Sequence, residues 1–157
     1  MSSTKQLDRT VFTFSRTLEY FDIKELQAQT GQPSHNFPLV VVKELIDNAL
    51  DECEYARVTP PKIGISILEG KESIELQITD NGKGITPEVV EKILDFPTRT
   101  TTKAFYHTPT RGQLGNALKT VIGIPYALSK TTHEEISYPI VIESCCIKHV
   151  ISVEEYA

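Results

Sequence analysis

The chain has no excess of positive charge, few cysteines and no long apolar run, and each absence removes a class of function. Its 16 Lys and Arg stand against 21 Asp and Glu, so no basic face for gripping a nucleic-acid backbone is announced. Anionic ligands stay open, because backbone N–H groups can hold a phosphate without net positive charge. The three cysteines, Cys53, Cys145 and Cys146, are an odd number, and the adjacent pair suits neither a disulfide framework nor Cys-x-x-Cys zinc spacing. All three read as small apolar residues in a reducing compartment. The opening Met1-Ser2-Ser3-Thr4-Lys5 lacks the apolar run of a secretory signal, and nowhere do about 18 apolar residues follow one another. A cytoplasmic protein with no membrane partner is the reading. Neither GxxxxGK[ST] nor a GxGxxG after a strand occurs, which removes the P-loop and dinucleotide-fold classes. There is no internal repeat and no low-complexity tract.

What is present suits an ordinary soluble globular chain: 157 residues, 39% hydrophobic and 24% charged, with a formal net charge of -5. The length predicts one domain spanning 1–157, with 1–10 a loose polar segment. Thr10 to Phe14 reads as a short strand, Arg16 to about Phe21 as a short helix, and 27–37 as loop. A helix from Pro38 to about Arg57 follows, with Val42, Leu45, Ile46, Ala49 and Cys53 recurring at helical spacing on one face. Ile63, Ile65 and Ile67, then Ile74, Leu76 and Ile78, alternate as two antiparallel strands of a half-buried sheet turned at Glu69-Gly70-Lys71. Thr86-Pro87 opens a helix to about Phe96, and 97–111 is a long loop without period. A helix from about Leu114 should stop near Gly123 and Pro125, and Tyr138–Ile147 and His149–Val153 read as two more strands.

Three groups carry chemistry. Glu44, Asn48 and Asp51 stand at i, i+4 and i+7 on one stripe nearly opposite the apolar face. Such a stripe is commonly just solvated; as a site it offers Glu44 as general base for a water and the Asn48 carbonyl oxygen to Mg²⁺, a cation that prefers oxygen ligands and keeps waters. Asp80-Asn81-Gly82-Lys83-Gly84-Ile85 contains the Asn-Gly of a hairpin, yet a capped helix follows instead of a returning strand. A turn that lets backbone approach a ligand explains Gly82 and Gly84 together, and an Asp ending a buried strand can accept from an exocyclic amine. Arg111-Gly112-Gln113-Leu114-Gly115-Asn116 precedes a helix, as either a plain loop or a phosphate cradle using N–H donors and the helix dipole.

In this order and at these separations the residues resemble the GHKL ATPases, the superfamily of DNA gyrase B, the ninety-kilodalton heat-shock chaperones, histidine kinases and MutL. Glu44-x-x-x-Asn48 is similar to the N box, Asp80-x-Gly82-x-Gly84 to the first glycine box, and Gly112-x-x-Gly115 to the second. Val41-Val42-Lys43-Glu44-Leu45 with Asn48-x-Leu50-Asp51 resembles MutL-like members, and Arg111-Gly112-Gln113 resembles topoisomerase VI B-like members. The resemblance covers roughly residues 38–125 and implies an α/β two-layer sandwich, the Bergerat fold: a mixed, mostly antiparallel sheet with helices on one face. It implies ATP and Mg²⁺ as cofactors, with Asp80 receiving the adenine amine, Asn48 binding Mg²⁺ and Glu44 activating water. Asp51, Gly82, Gly84 and Ile85 would help form the nucleotide pocket. Gly112, Gln113, Leu114, Gly115 and Asn116 would wrap the phosphates, 97–111 would be the lid, and Lys103 of Thr102-Lys103 would meet a phosphate.

The presence of Glu44 favours a hydrolysing member, an ATPase module of a topoisomerase VI B-like or MutL-like DNA-transaction protein. Its partners would be a second copy on ATP binding, and a topoisomerase A-type subunit and DNA reached through regions outside this chain. The alternative is a histidine-kinase-like or nucleotide-sensing module without hydrolysis, and a third reading is an interaction domain with a solvated acidic helix. Two departures stand out: Ala117 replaces the third glycine of the second box, and Tyr156-Ala157 comes before the later strand and lysine of topoisomerase-like members. A fragment, a truncated reading frame or a stand-alone module is the expectation.

Overall fold

The computed structural model describes residues 16–71, 73–96, 117–131 and 139–153. The expected strand at 10–14, the 97–111 lid and the second glycine loop lie outside them. After a 3₁₀ turn at Arg16–Tyr20 come α1 (Ile23–Thr30), α2 (Phe37–Tyr55), β1 (Ile63–Glu69), β2 (Ile74–Asp80), α3 (Pro87–Leu94), α4 (Ala117–Thr131), β3 (Ile140–Ser144) and β4 (Ile147–Ile151). The fold mixes helices with antiparallel sheet, as expected. Among the described residues β1 pairs with β2 from Ile63↔Asp80 to Glu69↔Ile74, and β3 with β4 from Ile140↔Ile151 to Ser144↔Ile147.

The helix α4 joins two cores. Val121, Ile124 and Ala127 pack with Leu26 of α1 and Phe37, Val40 and Val41 of α2, with Leu76 of β2 against them. Ile122 packs with Val90 and Ile93 of α3 and Ile151 of β4, backed by Ile85, Ile140 and Ile142. This explains why α4 runs through Gly123 and Pro125, where sequence punctuation predicts a stop. Pro125 forfeits one helical hydrogen bond, but burying Val121, Ile122, Ile124 and Ala127 outweighs that local cost. Gly123 is needed because a Cβ there would strike the Tyr20 carbonyl, so the 3₁₀ turn seats directly on α4.

Three further expectations change. Residues 27–30, expected at the start of a loop, are the second half of α1, which is capped by the Asp22 carboxylate, accepting from the Lys24 and Glu25 amides, and ended by left-handed Gly31. The β1–β2 sheet is less covered than its alternation suggests: Ile63, Leu76 and Ile78 are half-buried, while Ile65, Ile67, Leu68 and Ile74 are more than half exposed, because α2 lies mainly against β2. Cys145 and Cys146, expected inside a strand and apolar in role, form the β3–β4 turn and are exposed; only Cys53 is buried.

Lys119 is 1% exposed on α4, and its ammonium donates to the carbonyls of Asp95 and Phe96 just past α3. Burial lowers its pKa below the ordinary 10.5, partly opposed by the Asp95 charge. The folded state therefore releases this proton at a lower pH than the unfolded state does. Between the depressed folded pKa and 10.5 the unfolded chain binds more protons, so this residue's contribution to stability rises with pH across that window. Denaturation midpoints should show wild type gaining on Lys119→Met as pH approaches 10.5 from below. Parallel pH profiles of the two proteins would contradict this.

Candidate nucleotide site

The helix α2 opens with Pro38 in its first turn and runs 19 residues. Its buried side is not one stripe. Phe37, Val40 and Val41 project on the same side as Glu44, whereas Ala49 and Cys53 lie opposite. The polar stripe thus begins where the first buried patch ends, and Glu44, Asn48 and Asp51 are all half-buried rather than freely solvated. Asn48 Nδ2 donates to the Glu44 carbonyl at 2.7 Å. A carbonyl only accepts, so the amide nitrogen must face it and Oδ1 is left for another partner. Lys43 Nζ donates to Glu44 Oε1 at 3.2 Å and to Asp47 Oδ2 at 2.8 Å. Asp47, and then Glu44, hold the Lys43 ammonium above its ordinary range against partial burial. Lys43 was not singled out in the sequence; it restrains the carboxylate expected to be the base.

The first glycine loop leaves β2 at Asp80. That carboxylate is exposed, not buried as a strand-terminal Asp was expected to be, and its Oδ1 accepts from the Gly82 amide at 2.8 Å. Asn81, read from sequence only as turn chemistry, is a bolt. Its Oδ1 accepts from the Lys62 amide at 2.8 Å and from Cys53 Sγ at 3.5 Å, and its Nδ2 donates to the Pro60 carbonyl at 3.2 Å. One side chain thereby fixes the loop to the approach of β1 and to α2. Gly82 is small for a reason beyond ligand approach: a Cβ there would come within 2.8 Å of Glu52 Cγ and 2.9 Å of Asp80 Oδ1. Gly84 has φ +80°, and a Cβ would collide with Ser144 Oγ. Ser144 in turn accepts from the Ile85 amide at 2.6 Å, holding the loop's far end on the β3–β4 turn. No spacing rule announced Ser144, because its contact is made across 59 residues.

The structure therefore places Glu44, Asn48 and Asp51 on one half-buried stripe of α2, with Asp80, Gly82, Gly84 and Ile85 in a loop pressed against the same helix at Glu52. Glu52 lies two turns beyond Glu44, or about 12 Å along the helix axis. Lys103, Gly112, Gln113, Leu114, Gly115 and Asn116 lie outside the described residues. Among the described residues no group of three His, Cys, Asp or Glu could hold a metal. The Asn48 side chain, turned by the bond from Nδ2 to the Glu44 carbonyl, offers the kind of oxygen donor that Mg²⁺ takes together with ligand phosphates and water. None of the described helices is long and apolar enough to cross a membrane.

Comparison with known proteins identifies a family. Residues 36–138 match the family described as histidine kinase-, DNA gyrase B-, and HSP90-like ATPase. A 55-residue segment is 36% identical to the B component of type 2 DNA topoisomerase 6 from Methanococcoides burtonii, covering 35% of this chain and 9% of that protein. A 90-residue segment is 36% identical to mouse MORC family CW-type zinc finger protein 3, covering 57% of this chain and 9% of the relative. For the DNA mismatch repair protein MutL of Aquifex aeolicus, the identity is 42% over 57 residues, 36% of this chain and 12% of MutL. The matched segments thus span only about a tenth of these relatives' length. No solved structure gives a significant match. With the family model covering most of its length, including α2 and the first glycine loop, the chain belongs to the histidine kinase-, DNA gyrase B-, and HSP90-like ATPases.

Proposed function

We propose that this chain binds Mg-ATP along α2 and hydrolyses it, as the ATPase module of a topoisomerase VI B-like or MutL-like DNA-transaction protein. The observation that carries the reading is the shared helix: the glycine loop abuts α2 at Glu52, and Asn48 and Glu44 lie one and two turns away. A nucleotide laid along that face meets an acceptor for its base at Asp80, an oxygen donor at Asn48 and a carboxylate at Glu44. Asp80 offers one carboxylate oxygen to the adenine amine while the other keeps the Gly82 amide. Asn48 would hold Mg²⁺ through Oδ1, and the ion when bound neutralises phosphate charge. Glu44 accepts the proton of the attacking water, with Lys43 Nζ at 3.2 Å restraining the orientation of its carboxylate.

Closure of residues 97–111 over the triphosphate, dimerisation on ATP, and service to a topoisomerase A-type subunit and DNA belong to the same proposal. They are supported by the family resemblance and by the identity of the relatives. Phosphate release by the full chain in Mg-ATP tests the hydrolytic part. Turnover should vanish on chelation of Mg²⁺ and return when it is restored, whereas binding with no release in either state would leave a nucleotide-sensing module.

A further inference from the structure

The β1–β2 ladder ends where the first glycine loop begins, and its last rung pairs Ile63 with Asp80. One step on, Lys62 stands opposite Asn81, and there a side chain takes the place of backbone. Asn81 Oδ1 accepts from the Lys62 amide at 2.8 Å, and Nδ2 donates to the Pro60 carbonyl at 3.2 Å. Oδ1 also accepts from Cys53 Sγ of α2 at 3.5 Å, so both lone pairs of that oxygen are used. Asp80 is thus held from both sides, by the sheet before it and by this side chain after it. The direction in which a side chain points follows the backbone angles of its own residue, and those stay fixed only while both flanking peptide planes are held. Beyond Asn81, Gly82 and Gly84 add backbone freedom, and the loop's next hydrogen-bonded anchors to another element are the Lys83 carbonyl on Cys145 and the Ile85 amide on Ser144.

We propose that Asn81 is a positioning residue for base recognition: it holds the Asp80 carboxylate where its second oxygen selects a purine with a 6-amine over one without. This deepens the ATP reading above and rests on it. Asn81 acts through Asp80, since its own hydrogen bonds run to Cys53, Pro60 and Lys62. Without them the peptide after Asp80 can swing, and the acceptor oxygen meets the amine in only a fraction of conformers. The groups proposed for the phosphate end are anchored separately on α2, Asn48 by the Glu44 carbonyl and Glu44 by Lys43. Loss of Asn81 therefore takes the amine contact and spares the rest. A residue that only stiffened the loop would affect nucleotides with and without the amine alike, and this separates positioning from general support.

The test is calorimetry on the full chain with Mg²⁺ and two non-hydrolysable imido triphosphates, that of adenosine and that of purine riboside, which has hydrogen in place of the 6-amine. Wild type should prefer the adenosine form by roughly tenfold, the scale of one hydrogen bond. Asn81→Ala should bring that preference to within about twofold by weakening the adenosine form alone. A second measurement needs no variant. Coupling is reciprocal, so a base contact that depends on the Asn81 tie strengthens that tie by the same factor. Hydrogen exchange at the wild-type Lys62 amide should then be roughly tenfold slower with the adenosine form bound than with the purine form. A full preference in folded Asn81→Ala, or equal Lys62 exchange with both nucleotides, would overturn the proposal and leave the ATP site standing. A wild type that binds both nucleotides equally, or neither, would overturn it together with the adenine role of Asp80.

Discussion

Glu44→Ala is expected to bind Mg-ATP about as tightly as wild type and to turn it over roughly 10²–10⁴-fold more slowly, the usual worth of a positioned general base. The substitution is well tolerated by the fold. Glu44 is only half-buried, and Lys43 keeps its shorter contact with Asp47 at 2.8 Å. Asn48 takes its anchor from the backbone carbonyl of residue 44, which alanine supplies unchanged. Binding and turnover should therefore separate. Calorimetry with a non-hydrolysable analogue beside single-turnover phosphate release measures both; equal losses in the two would make Glu44 a structural residue.

Asp80→Asn is expected to weaken ATP binding by roughly tenfold to a hundredfold in a folded protein, the scale of one or two lost hydrogen bonds. In the proposed site both carboxylate oxygens have acceptor work: one takes the Gly82 amide, and the other would take the adenine amine. Asparagine has a single acceptor, so whichever way it turns, its NH₂ faces another donor. Each orphaned donor costs roughly 1–3 kcal/mol, and about 1.4 kcal/mol is tenfold in affinity. The exposure of Asp80 in the free chain keeps the cost to folding small, since water can serve either donor before nucleotide arrives. Wild-type affinity in folded Asp80→Asn, shown by titration calorimetry with an unchanged denaturation midpoint, would remove Asp80 from the adenine site.

The candidate site was legible as far as its residues sit in short local patterns. Glu44, Asn48 and Asp51 share a stripe that helical spacing alone predicts, and two glycines after a strand with no returning strand point to a turn of unusual purpose. What escaped was decided by tertiary contact. The helix α1 buries only Leu26, so it shows no apolar period, and its signature lay in the caps Asp22 and Gly31. The helix α4 overrode Gly123 and Pro125 because two cores meet on it. Ser144 and the Cys145–Cys146 turn gained their place beside Gly84 through packing between segments some sixty residues apart. Asn81 looked like a turn former and proved to be the link between the loop, Cys53 and the residues leading into β1.

In the proposed mode ATP lies along α2 from the first glycine loop to Glu44. Amide chemical-shift mapping of the full chain, titrated with Mg²⁺ and a non-hydrolysable ATP analogue, tests it most directly. The largest shifts are expected at Glu44–Asp51 and Asp80–Ile85, with the Ile85 amide among them. Contradiction would be saturable binding whose shifts spare both stretches and gather elsewhere, for instance around the apolar cavity of about 320 Å³ lined by Phe21, Phe96, Ile122 and Ile151.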